Sequence, residues 1–583
     1  MKKIFSIALV GVAMMSLVGC ANKNFDDQYP DPSKTATASI PNLFTGVLQA
    51  GNQWMNATYW RYYTQSSTSG RFAGINDDSN SRGRFRGASE GYYNIRWQNY
   101  YNQLTQVRII ERMMDDEKMT AKDKELNMLF YHLAKVVMAA QTHEMLSLFG
   151  PIPYRGAGTL AVNDYATAKD LCAYDNDAQT YTSILGDLKS AADYLVNKAP
   201  ETSLTNLKNQ DWTMAAGDQD RWRRFTNTLR LRIALHLATR GEVTAAAHAT
   251  IKEVIEDPNK YPTIYNNNSN QGVTGSTEND TFNFGKGMSQ AMRTGGMSNG
   301  SANVLRVMNV PANGIPDENT DPRLQAMYDP NPDGEYIGYD LHMTNSEIDD
   351  LSTKKTNEYK ARKPSITMAN YFCQVDTIAI AGWASYEGNT NLNSYWATAA
   401  ETHLLMAEAY AMGYGVAQNS AKAKEHFCIG VELSNNFYWD MKEGSSLAKS
   451  TNDSYRGFRY LERPTDDQVA AYAKKLWDTS DATDQEKICT QRWLHYGYIN
   501  YLEAWNVVRR TGFPVINFAE DAIQTDYNFP PNRLPYPSDE SDFNRANYEA
   551  AVAQYYKVTN GGYYTVLFWA KEDGKYYNII DKK

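Results

Sequence analysis

The feature that most limits what this 583-residue chain can become is the helical spacing of its apolar residues. Across 126–148, Leu126, Leu129, Phe130, Leu133 and Val137 fall at i, i+3, i+4, i+7 and i+11, one stripe of a 3.6-residue helix. Phe149-Gly150-Pro151 closes that run with a glycine stop and a proline break. Residues 180–198 repeat the pattern through Tyr181, Ile184, Leu185, Leu188 and Leu195, ending before Pro200. In 221–239, Trp222, Phe225, Leu229 and Ala234 share one side, while Arg223, Arg224, Arg230 and Arg232 spread around the rest. Residues 399–412 and 420–434 predict a helical pair around a short Gly-containing turn, and Ala423-x3-Phe427 echoes the A-x3-F element of tetratricopeptide helices. Between 261 and 395 the composition turns to Asn, Gly, Pro, Asp and Ser with scattered aromatics, which predicts loops. Loops on a rigid scaffold are where binding residues concentrate.

The N-terminus reads as an address rather than as part of that scaffold. Lys2 and Lys3 precede an apolar stretch from Ile4 to Val18, too short for a membrane span of roughly 20 apolar residues. Leu17-Val18-Gly19-Cys20 resembles the bacterial lipoprotein box, so residues 1–19 are expected to be a signal peptide, 20–40 a lipidated tether and 41–583 one large domain. Acyl chains on Cys20 would anchor the chain to a membrane, since two or more chains hold where one does not. Loss of Lys2 and Lys3 takes the formal charge from -9 to -11, an acidic balance that argues against nucleic acid as partner. Cys172, Cys373, Cys428 and Cys489 show no C-x-x-C spacing and read as small hydrophobes rather than a pairing framework.

Several segments resemble, in order, those of the SusD/RagB-like outer-membrane lipoproteins of Bacteroidetes. Leu148-Phe149-Gly150-Pro151-Ile152-Pro153-Tyr154 is similar to the family's LFG(D/P)(V/I)PY segment, and the stretch from Trp222 to Arg232 to its W.kfaNsLrLR helix. The stretch from Ala399 to Ala409 resembles its a.E..fl.AEA helix. Gln491-Arg492-Trp493-Leu494, Glu503-Ala504-Trp505, Arg509-Arg510-Thr511-Gly512 and Arg533-Leu534-Pro535-Tyr536-Pro537 resemble its closing run. Asp26-Asp27 also resembles the acidic tether that places lipoproteins on the cell surface in that phylum. The resemblance implies a mainly α fold, four tetratricopeptide-like helical pairs supporting a loop-rich ligand-binding half. It further implies exposure on the outer membrane, an oligosaccharide or polysaccharide ligand, and a SusC-like TonB-dependent transporter as partner. Trp222, Leu229 and Trp493 read as framework.

Signals of catalysis are sparse. The chain has no H-E-x-x-H, G-x-x-x-x-G-K-[ST] or G-x-G-x-x-G. Glu401 and Glu408 lie two helical turns apart, roughly 10 Å along the axis, which is wider than the ~5 to 9.5 Å of glycosidase carboxyl pairs. A surface glycoside hydrolase and a helical-repeat peptide-binding lipoprotein are the rival readings. No cofactor is required. Asp329, Asn331, Asp333 and Asp340 fit the D-x-[DN]-x-[DN]-G spacing with an acid at the twelfth place, a candidate structural Ca²⁺ loop, although two prolines interrupt it.

Sugar binding asks for aromatic faces flanked by amides, carboxylates and Arg. The chain holds 41 Tyr and 12 Trp, against 19 Phe, a bias toward rings with a polar tip. Two segments read as loops concentrate that mixture, 59–80 and 383–396. Their candidate ligand contacts are Trp60, Tyr62, Gln65, Phe72, Asn76, Asp77, Asp78, Trp383, Tyr386 and Trp396.

Overall fold

A computed structural model describes residues 38–80, 84–87, 90–160, 168–294, 298–362, 364, 371–380, 388–448, 462–521, 527–556 and 562–581. Cys20, the signal segment, Trp383 and Tyr386 lie outside these residues.

Helices carry the architecture. The longer ones are α1 (Ile40–Met55), α2 (Tyr59–Ser67), α3 (Glu90–Asp115), α4 (Ala121–Phe149), α5 (Asp177–Tyr194), α6 (Glu201–Gln210), α7 (Gln219–His236) and α8 (Thr244–Glu256). They continue as α9 (Phe284–Thr294), α10 (Asn345–Arg362), α11 (Ala399–Met412), α12 (Ser420–Glu443), α13 (Asp466–Thr479), α14 (Asp484–Tyr496), α15 (Tyr501–Thr511) and α16 (Arg545–Tyr555). Four sequential pairs pack side by side: α4 with α5, α7 with α8, α11 with α12, and α14 with α15. The predicted Ala423 and Phe427 are both fully buried between α11, α12 and α13, alongside Leu404, Ala407 and Trp477. Burying a side chain the size of Phe427 contributes roughly 1.5–3 kcal/mol. The main core runs on from Ile40 to Tyr576. Strands are short: β1 (Gln271–Val273) runs antiparallel to β4 (Ser394–Ala397), β2 (Tyr328–Asp329) antiparallel to β3 (Gln374–Val375), and β5 (Ile516–Phe518) parallel to β6 (Tyr577–Ile579).

The segments quoted from the sequence are joined to one another in space. Arg232 of α7 grips Glu401 of α11 with two nitrogens, and Tyr496 donates to the same carboxylate at 2.9 Å. Glu408, one face further along α11, accepts from Arg492 at 2.7 Å and from Arg510 at 2.6 Å. Burial pushes its carboxyl up, yet the two guanidinium groups win and hold it at about 2. Both glutamates are therefore buried ion-pair struts, not a hydrolytic pair. Gly150 ends α4 with φ +69°, and a Cβ there would meet Leu567 at 2.9 Å and Arg533 at 3.2 Å. That close approach lets Leu534 donate its amide to Leu148 O at 2.8 Å, so the LFGPIPY and RLPYP segments seal one joint. Trp222, Leu229 and Trp493 are fully buried, as framework should be.

Two expectations need correction. Residues 59–80 are not a loop: Thr58 caps α2 by accepting from Arg61 N, and a short helix, Ser69–Phe72, follows. The stretch 261–395 contains, among the described residues, two long helices, α9 and α10, besides the short ones Ala302–Val307 and Leu324–Met327. In α9, Phe284, Met288, Ala291 and Met292 bury one stripe that Gly285 and Gly287 disguised in the sequence. At the start of α10, Thr344 and Glu347 cap each other reciprocally, a T-x-x-E box that was readable.

Candidate functional site

Helix α2 has two unlike faces. Its inward face carries Arg61, whose Nη1 donates to Trp54 O at 2.6 Å and Met55 O at 2.7 Å, the orphan carbonyls at the end of α1. The Nη2 of Arg61 reaches Glu144 of α4 at 2.9 Å, so one side chain fastens α2 to two neighbours. The outward face presents Tyr59, Trp60 and Tyr63, all half-buried, at i, i+1 and i+4. Tyr92, from the first turn of α3, completes the group: its ring lies 4.5 Å from Tyr63 and 5.5 Å from Trp60. Tyr59 stacks on Tyr63 at 5.7 Å and meets Trp60 edge-on at 5.9 Å. Desolvation, together with the Tyr59 and Tyr63 hydroxyls, pushes the Tyr92 phenol up to about 12, so it stays a neutral hydrogen-bonding group at ordinary pH. The result is a rigid platform of four partly open rings, suited to the apolar face of a flat ligand whose edges carry hydroxyls.

Both segments chosen from the sequence converge on this platform. Helix α9 packs against α2, and a Cβ on Gly287 would stand 3.0 Å from Tyr59 N. Two residues earlier, a Cβ on Gly285 would meet Asn389 N at 2.4 Å and Ile380 O at 2.6 Å. The chain thus leaves for 381–387 and returns from it within one turn of the Tyr59 contact, with Asn389 donating to Ile380 O and, through its side chain, to Ala379 O, both at 2.7 Å. Further on, Ser394 accepts from Ala57 N at 2.9 Å, and Trp396 Nε1 donates to Asn56 at 3.0 Å.

Among the described candidates, only Trp60 offers an open ring in the platform. Tyr62, Gln65, Phe72, Asn76 and Asp77 are buried, which corrects their reading as ligand contacts: the helices turn these positions inward. Tyr62 donates to Ile499 O at 3.1 Å, Gln65 accepts from Arg61 Nε at 3.4 Å, Phe72 packs 5.4 Å from Trp505, and Asn76 donates to Ser66 O at 3.1 Å. Asp77 accepts from Ala302 N at 2.7 Å, and burial pushes its carboxyl up to about 7 despite that bond and Arg84. Asp78 pairs with Arg71 at 2.8 Å. Trp396 is half-buried against Phe225 and serves as a strut. Tyr59, Tyr63 and Tyr92 were missed as contacts. The i+4 spacing of Tyr59 and Tyr63 could have shown the first two, whereas nothing in sequence brings Tyr92 beside them.

The candidate calcium loop is a turn. Asp329 accepts from Thr377 N at 3.0 Å, and Asn331 Oδ1 accepts from the amides of Asp333 and Glu335, both at 3.0 Å. Asp333 pairs with Arg362 at 2.9 Å, and Asp340 accepts from His342 N at 2.9 Å. These oxygens are spent on separate partners instead of one centre, which corrects that reading, and no group of three or more His, Cys, Asp or Glu among the described residues could hold a metal. A groove of about 740 Å³ lies elsewhere, between residues 316–325 and α13. Asp317, Glu318, Glu462, Arg463 and Lys475 line it, with Tyr472 as its one ring among the described residues, a charged surface poorly matched to stacking.

The sequence matches, over residues 32–537, the SusD-like family described as starch-binding and associating with the outer membrane. The fold is similar to that of a SusD homologue from Parabacteroides distasonis, at 16% identity and a TM-score of 0.66, over 94% of this chain and 100% of that one. A chitin-binding SusD homologue from Flavobacterium johnsoniae is similar at 19% identity and a TM-score of 0.63, over 91% and 99% of the two chains. A chitin-binding protein is similar at 20% identity and 0.62, over 91% and 100%. No curated protein matches the chain.

Proposed function

The chain belongs to the SusD-like family, and from that premise we propose that it binds glycan on the Tyr59, Trp60, Tyr63 and Tyr92 platform and performs no bond chemistry. The observation that carries this reading is the platform itself: four half-open rings, three of them on a helix whose other face is anchored through Arg61 and the fourth, Tyr92, brought in by α3. Trp383 and Tyr386 remain proposed contacts, because the chain on either side of 381–387 is fixed beside α9. Acylation at Cys20 would hold the protein on the outer membrane, and a SusC-like TonB-dependent transporter would receive the captured glycan.

Chitin and starch oligosaccharides are the first ligands to test, given the family description and the chitin-binding structural relatives. Trp60→Ala should weaken binding of whichever glycan the wild type takes by roughly 30-fold, about 2 kcal/mol, as loss of a binding anchor does. Isothermal titration with product analysis by chromatography reads both halves of the proposal. Unchanged affinity in a folded Trp60→Ala would remove the platform from the site, and released sugar fragments would show an enzyme instead.

A further inference from the structure

The structure also holds a pair of facing imidazoles that take no part in the aromatic platform. His403 lies on α11 and His426 on α12, in two helices that pack closely together. Their Nδ1 atoms face each other at 3.0 Å. His403 is fully buried, and its Nε2 sits 3.4 Å from Tyr265 O. A carbonyl only accepts, so Nε2 carries the proton and Nδ1 of neutral His403 presents a lone pair toward His426. Fixing the far nitrogen on a backbone carbonyl is how metal-ligating histidines are oriented. The Tyr265 ring covers His403 at 4.2 Å, and Tyr410 stacks on His426 at 5.7 Å with an 11° angle, so neither imidazole is free to swing away.

The separation itself discriminates between ions. Two nitrogens bound at about 2.0–2.1 Å stand about 2.9 Å apart in cis positions of a square plane and about 3.3 Å apart in a tetrahedron. The 3.0 Å observed lies nearer the square-planar value. We propose that His403 and His426 form a two-imidazole site for a divalent late transition-metal ion, with Cu²⁺ preferred. His426 is half-buried, which leaves the remaining coordination positions open to water. Glu425, exposed and adjacent to it, supplies negative charge from the solvent side, opposed by Lys422, whose ammonium lies over the Tyr410 ring at 4.9 Å. Affinity follows the Irving–Williams order, Cu²⁺ above Ni²⁺ and Zn²⁺.

The test titrates the full chain, purified without a histidine tag, with CuCl₂ and reads electron paramagnetic resonance alongside competition with a chelating dye. One Cu²⁺ with hyperfine structure from two nitrogens is expected in the wild type. His426→Gln should lose one nitrogen from that spectrum and weaken binding at least ~10-fold, while His342→Gln should change neither. Copper should also shield His426, but not His342, from diethyl pyrocarbonate in the wild type, a readout that does not depend on the variant folding. Absence of the two-nitrogen signal, equal affinity in His426→Gln, or no shielding of His426 would leave the pair as a plain hydrogen bond and overturn the proposal.

Discussion

Glu408 has no contact with solvent and sits between Arg492 and Arg510, with Gln485 donating to it at 3.2 Å. Removing its charge while keeping its shape leaves two buried guanidinium groups without their counter-ion. Glu408→Gln should therefore destabilise the protein by ~3–5 kcal/mol, read as a lower midpoint in urea at an unchanged slope. A loss below ~1 kcal/mol would show that water reaches the cluster and shares the charge. Trp60, by contrast, stands on a helix that Arg61 holds from behind, so its truncation is expected in affinity far more than in melting temperature. The same helix thus separates two kinds of residue at adjacent positions. Sequence alone did not distinguish them, because the aromatic density of 59–80 records composition and only the helix phase records direction.

At the scale of elements, the contact of α9 with the base of 381–387 is the tightest joint near the platform. A Cβ on Gly388 would come within 1.9 Å of Lys286 N, and the obstructing atoms are backbone. Gly388→Ala should lower the melting temperature, by strain worth ~1–3 kcal/mol, and should weaken glycan binding as well, because the loop ends must move. A variant that melts and binds like the wild type would show that this joint yields freely. The long amphipathic helices were legible: 399–412 was placed as found, and α4, α5 and α7 differ only at their ends, where fraying and caps shift boundaries. Helix α12 runs on to Glu443, past the predicted 434. What escaped were helices with atypical composition. In α10 only Ile348 and Tyr359 are buried, so almost no apolar stripe exists to read. The platform escaped in part for a related reason, since Tyr92 reaches it from a different helix.

Across the whole molecule, acid should unfold this protein earlier than its charge balance suggests. Burial drives His132 down to about 4, His495 to about 3 and His236 well below its usual value, each helped by nearby cations. Unfolded, they titrate near 6.5. Below that pH the unfolded chain binds more protons than the native one, so stability present above pH 6.5 is lost as pH falls toward 4. Glu503, held at about 2 by His143 against its own burial, and Glu408 extend the loss below pH 4.5. Asp77 at about 7 and Asp177 at about 6, both raised by burial, oppose it, since they take up protons on folding. With His403 and His426, which burial lowers as well, the histidines outweigh Asp77, Asp177, Asp187 and Glu432, so the melting temperature should fall from pH 7 to pH 4; a rise would contradict this balance. The proposed membrane anchor is tested on the same scale. Cys20→Ala should abolish labelling by a fatty-acid probe, release the protein from the outer-membrane fraction, and end co-purification with a TonB-dependent barrel. Labelling that persists would place the lipid elsewhere.

The buried ion pairs span long stretches of sequence, 169 residues for Arg232 and Glu401 and 102 for Glu408 and Arg510. A nascent chain therefore cannot complete its helical stack until residues near 510 have been made and delivered. Until then Glu401 and Glu408 must remain hydrated, outside any closed interior. A chain ended before that point would leave Glu408 without either guanidinium partner, and a cut between 232 and 401 would part Glu401 from the arginine that makes its burial tolerable.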